Sequence, residues 1–125
     1  MAWIPVAISI GAVIGALSRY YITLFWIQKK GTRFPYGTFF VNLTGAFVIG
    51  FLSIFVVKVG FPVALQKLLI TGFLGSYTTF SSYILDTTVL FKNRGKFLGY
   101  FYWLGSPVLG FLLVKLSLVM AQSVL

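Results

Sequence analysis

Gly72-Phe73-Leu74-Gly75-Ser76-Tyr77-Thr78-Thr79-Phe80-Ser81-Ser82-Tyr83 sets a hydroxyl-rich, glycine-bearing run inside an otherwise apolar stretch reaching from about Ala64 to Phe91. In a bilayer, leaving helical geometry frees carbonyls and amides that lipid cannot satisfy, so a break persists only where protein, water or an ion takes those bonds. Interruptions of this kind hold ions in transport proteins. The competing reading is a continuous helix whose Ser and Thr side chains bond back to its own carbonyls. Length favours the break, because the stretch exceeds the ~20 residues that a straight span needs.

The rest of the chain has the same character. Apolar residues make up 59% of the 125 positions and Asp86 is the one acidic side chain, so a water-soluble surface cannot be assembled. Further apolar runs cover about 3–27, 36–57 and 97–119. With 64–91, broken near 75–79, they predict an all-α integral membrane protein of four transmembrane helices, in one domain spanning 1–125. Short connections make neighbouring helices antiparallel. The first run is longer than the roughly 7 to 15 residues of a signal-peptide core and has no basic residue before it, so it is expected to remain in the mature protein.

Cysteine and histidine are both absent. That excludes disulfides, thiolate or imidazole metal sites and His-based catalysis. One carboxylate leaves no acid/base or nucleophile pair, so an enzyme is not expected. The net charge of +9 would suggest nucleic acid in a soluble domain, but here it lies mostly in short loops, and no nucleic-acid partner is expected. Lys29, Lys30 and Arg33 follow the first helix, and Lys92, Arg94 and Lys96 follow the third; only Lys58 and Lys67 flank the middle connection. Six basic residues against two put the first and third loops in the cytoplasm and both termini outside, in a multi-pass inner or plasma membrane protein. Lys115, snorkelling outward, narrows that bias.

The polar residues within the helices carry the functional reading. Gly11, Ala12, Gly15 and Ala16 form two small-xxx-small pairs that allow close helix approach. Arg19 lies deeper than a terminal anchor and needs an acceptor, since a guanidinium in hydrocarbon costs at least ~2.5 kcal/mol. The acceptor candidates are Asp86, a backbone carbonyl or a partner subunit; snorkelling is the alternative. Thr38, Asn42, Ala46 and Gly50 fall on one face of the second helix, and Tyr102, Ser106 and Gly110 on one face of the fourth. Pro107 is expected to kink that fourth helix. Asn42 must find partners or cost several kcal/mol, which makes it either interhelical glue or a ligand contact. A seam of hydroxyls, one amide and aromatic edges suits a small anion better than a cation. Phe80 and Tyr83 project from nearly one face and could offer such edges.

Three blocks, Gly11-Ala12-Val13-Ile14-Gly15-Ala16-Leu17-Ser18-Arg19-Tyr20, Gly37-Thr38-Phe39-Phe40-Val41-Asn42-Leu43-Thr44-Gly45-Ala46-Phe47 and the Gly72 to Tyr83 run, resemble the signature blocks of the Fluc (CrcB) fluoride channels. The resemblance covers essentially the whole chain. It implies passive fluoride export, limiting fluoride toxicity, through an antiparallel, dual-topology-type dimer with two pores, each built from both subunits. It also implies a structural, non-transported Na+ at the dimer centre, held by backbone carbonyls of Gly75 and Thr78; oxygen ligands suit a hard cation. The pore residues carried over are Asn42, Phe80 and Tyr83, with a hydroxyl track that includes Thr38, Ser81, Ser82, Tyr102 and Ser106. Arg19 takes a structural or vestibular role.

This chain departs from the family pattern at three places. Tyr83 stands where a second phenylalanine is usual, Asp86 replaces a glutamate, and Pro107 follows the serine directly. With the loop bias, these suggest a heterodimer with an oppositely inserted paralogue, against the homodimer alternative. Two other readings compete. A small four-helix multidrug exporter would need a carboxylate in the first helix, where this chain has Arg19. A non-conducting partner subunit would need no polar seam.

Overall fold

The computed structural model describes residues 3–124. Among them are four helical spans long and apolar enough to cross a membrane. The first two are α1 (Trp3–Lys30) and α2 (Tyr36–Val59), and the last is α6 (Lys96–Val124). The third span, Val63–Asn93, is composite: α3 (Val63–Gln66), a π-helical segment π1 (Lys67–Leu74), α4 (Gly75–Tyr77) and α5 (Phe80–Asn93).

The helices outlast the apolar stretches because long basic side chains reach the interface while their stems stay in apolar surroundings. Thus α1 continues through Lys29 and Lys30, and α2 through Lys58. Cations in a last turn also suit the helix dipole. The stop signals are conformational: Gly31 and Gly60 take φ of +77° and +82°, and their N–H groups close back on the Ile27 and Val56 carbonyls at 2.8 and 3.0 Å. A left-handed residue that returns an N–H in this way ends a helix, and glycine does so without a Cβ clash.

Packing is inverted relative to a soluble bundle. The residues buried on α1 are Ala7, Gly11 and Gly15, while Val13, Leu17, Phe111 and Leu112 are exposed. Where lipid is the solvent, burying large apolar groups gains little, and helices associate through small residues that let backbones meet. Accordingly α1 packs chiefly on π1, and α2 chiefly on α6. Two buried clusters flank the middle of the third span. Val41, Leu74 and Tyr77 form one, and Tyr83, Leu90 and Tyr102 form the other.

Between those clusters only Thr78 and Thr79 leave helical geometry. Their φ/ψ pairs are −82°/157° and −149°/124°, both extended, whereas Gly75 to Tyr77 are helical. The fourth helix shows no interruption at Pro107: α6 runs through it as one helix. The π-helical register of Lys67–Leu74 is a further feature that the sequence does not announce.

Candidate functional site

Two adjacent β-branched residues in extended geometry leave backbone groups to be satisfied, and three side chains do this. Asn42 on α2 faces Thr79 with its amide: Oδ1 accepts from the Thr79 N–H at 2.8 Å, and Nδ2 donates to the Thr79 carbonyl at 2.9 Å. Thr79 itself caps α5, its hydroxyl accepting from the Ser82 N–H at 3.3 Å. Arg19 Nε donates to the Ser76 carbonyl at 3.1 Å, just before the break. Of the acceptors proposed for Arg19, the backbone carbonyl is the one used. Asp86 lies instead beside Thr38 and Tyr102.

These bonds have a consequence for two carbonyls. In a continuous helix the Thr79 N–H would go to Gly75 O and the Ser82 N–H to Thr78 O. Asn42 and the Thr79 hydroxyl take those donors. The Gly75 and Thr78 carbonyls are thereby left without their helical partners. Gly45 makes the approach possible, since a Cβ there would collide with Thr78 Cγ2.

A cavity of about 460 Å³ opens at this point, lined by Asn42, Gly45, Gly75, Thr78, Thr79, Phe80, Tyr83, Ser106 and Pro107 among others. A second, of about 230 Å³, is lined by Arg19, Thr38, Ser82 and Thr79 with Ala16, Tyr20 and Thr23. Thr79 lines both and forms the wall between them. The expected single seam is therefore divided: Asn42 and Ser106 belong to the larger cavity, and Thr38 and Ser82 to the smaller.

Several hydroxyls do bond back to their own helix, as the competing reading of the sequence held. Thr44, Thr87, Ser117 and also Thr78 do so, Thr78 Oγ1 lying 3.0 Å from the Leu74 carbonyl. Tyr102 and Ser106 differ. Both hydroxyls are sealed from solvent and have no partner in hydrogen-bonding geometry among the described residues, although the Asp86 carboxylate lies beside the Tyr102 hydroxyl. A buried hydroxyl without a partner costs about 1–3 kcal/mol, so each marks a place where another group would be stabilised. Asn42 adds a third donor, because one of its two amide N–H groups is unused.

Phe80 is exposed and Tyr83 buried, with ring centroids 5.7 Å apart. Ser81 is exposed, 3.3 Å from the Thr79 hydroxyl. The Tyr83 hydroxyl does not reach into the cavity as a free donor; it is engaged by the Trp103 carbonyl. Sequence reasoning did not single out Thr79 or the Ser76 carbonyl. The Thr-Thr pair within a bilayer-length helix was the available signal for the first, and the second had none, since any carbonyl could have served. Arg19→Lys is expected to lower stability by about 1.5–3 kcal/mol, the range for a charge-assisted bond, because an ammonium lacks the lateral Nε donor. Thermal unfolding in detergent measures this; an unchanged midpoint would mean that the Ser76 contact contributes nothing.

Comparison with known proteins gives the family. A family described as "CrcB-like protein, Camphor Resistance (CrcB)" matches residues 6–118. A protein of Trichormus variabilis named fluoride-specific ion channel FluC is 43% identical, covering 94% of this chain and 88% of its own. FluC of a Hydrogenobaculum species is 46% identical over 89% of this chain and 91% of its own, and FluC of a Synechococcus species 41% over 95% and 92%. The four spans and these relatives make the protein a multi-pass membrane protein, of the plasma membrane in bacteria, and not an enzyme. On the family match and the near-complete coverage of its relatives, the chain belongs to the CrcB (Fluc) family.

Proposed function

We propose that this chain is a subunit of a fluoride-selective channel that lets fluoride leave the cytoplasm passively. The observation that carries the reading is the pair of donors without partners beside a broken helix and on the larger cavity: the Ser106 hydroxyl and the unused Asn42 N–H. Fluoride is small and strongly hydrated, so replacing its water requires closely placed donors. Carboxylates would oppose it, and the larger cavity has none in its lining. The ring edges of Phe80 and Tyr83, and the hydroxyls of Ser81, Ser82 and Thr38, extend the donor surface along the path.

The working unit in this reading is an antiparallel dimer, with an identical chain or an oppositely inserted paralogue. The basic first and third loops face the cytoplasm. The larger cavity lies open on one face of a single chain, and a second subunit would close it. Sodium fits the same face. The Gly75 and Thr78 carbonyls have lost their helical donors and line the cavity, and two such pairs from two subunits would make an all-oxygen site for a hard monovalent cation. Bound there, Na+ would neutralise the carbonyl dipoles and hold the breaks of the two subunits together. Two alternatives, the multidrug exporter and the non-conducting partner, lack a comparable support in the geometry.

The test is anion efflux from liposomes containing this polypeptide purified alone, read with fluoride- and chloride-selective electrodes. Fluoride efflux without chloride efflux is the expected result for a homodimer, and activity only after co-expression with a paralogue is expected for a heterodimer. Efflux of neither ion in either format would refute the channel reading.

A further inference from the structure

Pro107 has no N–H, so the carbonyl of Trp103, four residues earlier in α6, has no helical donor. Within a bilayer such a carbonyl costs several kcal/mol unless something else reaches it. What reaches it is on another helix: the Tyr83 hydroxyl of α5 donates to Trp103 O. Phenylalanine could fill the same volume but could not make this bond. The two residues also meet at one place, because Tyr83 and Pro107 both line the larger cavity, next to Ser106.

We propose that Tyr83 and Pro107 work as one unit, in which the Tyr83 hydroxyl substitutes for the amide that proline removes and so fixes the wall of the cavity. Tyr83 is a positioning residue in this scheme. Tied at its para position, its ring cannot turn freely between its neighbours Phe80 and Tyr102, whose ring centroids lie 5.7 and 5.3 Å away. The bond also joins α5 to α6 at the level of Ser106, whose partnerless hydroxyl is thereby kept at the cavity. Neither residue is expected to be tolerated as well without the other. The consequence for transport rests on the channel reading, whereas the pairing itself does not.

The pairing can be read directly. Trp103-Leu104 is the only Trp-Leu step in the chain, the other tryptophans being followed by Ile4 and Ile27. Labelling Trp at the carbonyl with carbon-13 and Leu at nitrogen with nitrogen-15 therefore isolates the Trp103 carbonyl as one NMR signal. Tyr83→Phe should move it upfield, as loss of a hydrogen bond does, in the parent chain. In a Pro107→Ala background, where residue 107 regains its N–H, the same substitution should hardly move it. Fluoride efflux should fall roughly tenfold for Tyr83→Phe, the scale of one lost hydrogen bond. The double variant should return to within about twofold of Pro107→Ala, the limit within which uncoupled changes are resolved.

Equal carbonyl shifts in both backgrounds, or none in either, would overturn the pairing. If Tyr83→Phe alone does not fold, recovery of folded protein in the double variant is the expected result, and failure to recover overturns it. The expected carbonyl response in a chain that conducts no fluoride would retain the pairing and remove the channel reading instead.

Discussion

Asn42→Leu is expected to abolish fluoride efflux and to lower the unfolding midpoint sharply. The reason is that Asn42 holds both backbone groups of one extended residue, the N–H and the carbonyl of Thr79, at 2.8 and 2.9 Å. Leucine has a similar shape and offers neither partner. Each stranded group costs about 1–3 kcal/mol, so the break would lose a substantial part of its support or close into continuous helix. Closing it would return the Thr79 N–H to the Gly75 carbonyl, removing one of the oxygens proposed to hold sodium. Efflux should fall at least about 100-fold, since each 1.4 kcal/mol at the site counts for a factor of ten. Asn42→Asp separates the two tasks of the side chain. It keeps an acceptor for the Thr79 N–H but has no donor for the carbonyl or for an anion, so it should fold better than the leucine variant and conduct no better. Proteoliposome efflux read beside thermal unfolding decides the matter; normal flux through Asn42→Leu would remove both the brace and the pore role.

That double task explains why Asn42 was legible as important while its work was not. An amide within a membrane helix must find partners, and spacing placed it on a face with Thr38 and Ala46, yet no spacing rule relates it to Thr79, 37 residues away. The four spans could be read from the sequence because length and apolarity alone determine them in lipid. The two extended threonines fall within the stretch expected to break, though Gly75 to Tyr77 remain helical. The π1 segment was not legible. It has no local composition signature, and what distinguishes it in the structure is the close packing of α1 against it. Pro107 was legible only in part. Its missing N–H is legible in the sequence, whereas the replacement donor, Tyr83 on another helix, is not.

Gly15→Ala is expected to prevent the third span from docking on α1, although alanine is favoured over glycine within a helix by about 1 kcal/mol. Propensity and packing oppose each other here, and the geometry decides between them. A Cβ at Gly15 would run into the Phe73 carbonyl oxygen, 3.0 Å from its carbon and 3.1 Å from the Tyr77 amide nitrogen. Those obstacles are backbone, so no side-chain rotation relieves them. Gly72 faces the same contact from the other side, where a Cβ would lie 2.5 Å from the Ile8 carbonyl oxygen. Overpacking usually costs about 1–3 kcal/mol, and a clash with main chain belongs at or above the top of that range. Displacing α1 would also carry Arg19 away from the Ser76 carbonyl, so the break would lose its support from α1. The control is Gly105→Ala in α6, where nothing lies within 4 Å of the added carbon and only the propensity gain remains. Thermal unfolding in detergent should therefore show a large loss for Gly15→Ala and none for Gly105→Ala. Equal behaviour of the two variants would mean that α1 and π1 do not meet backbone to backbone, and the Arg19 brace would fall with that contact.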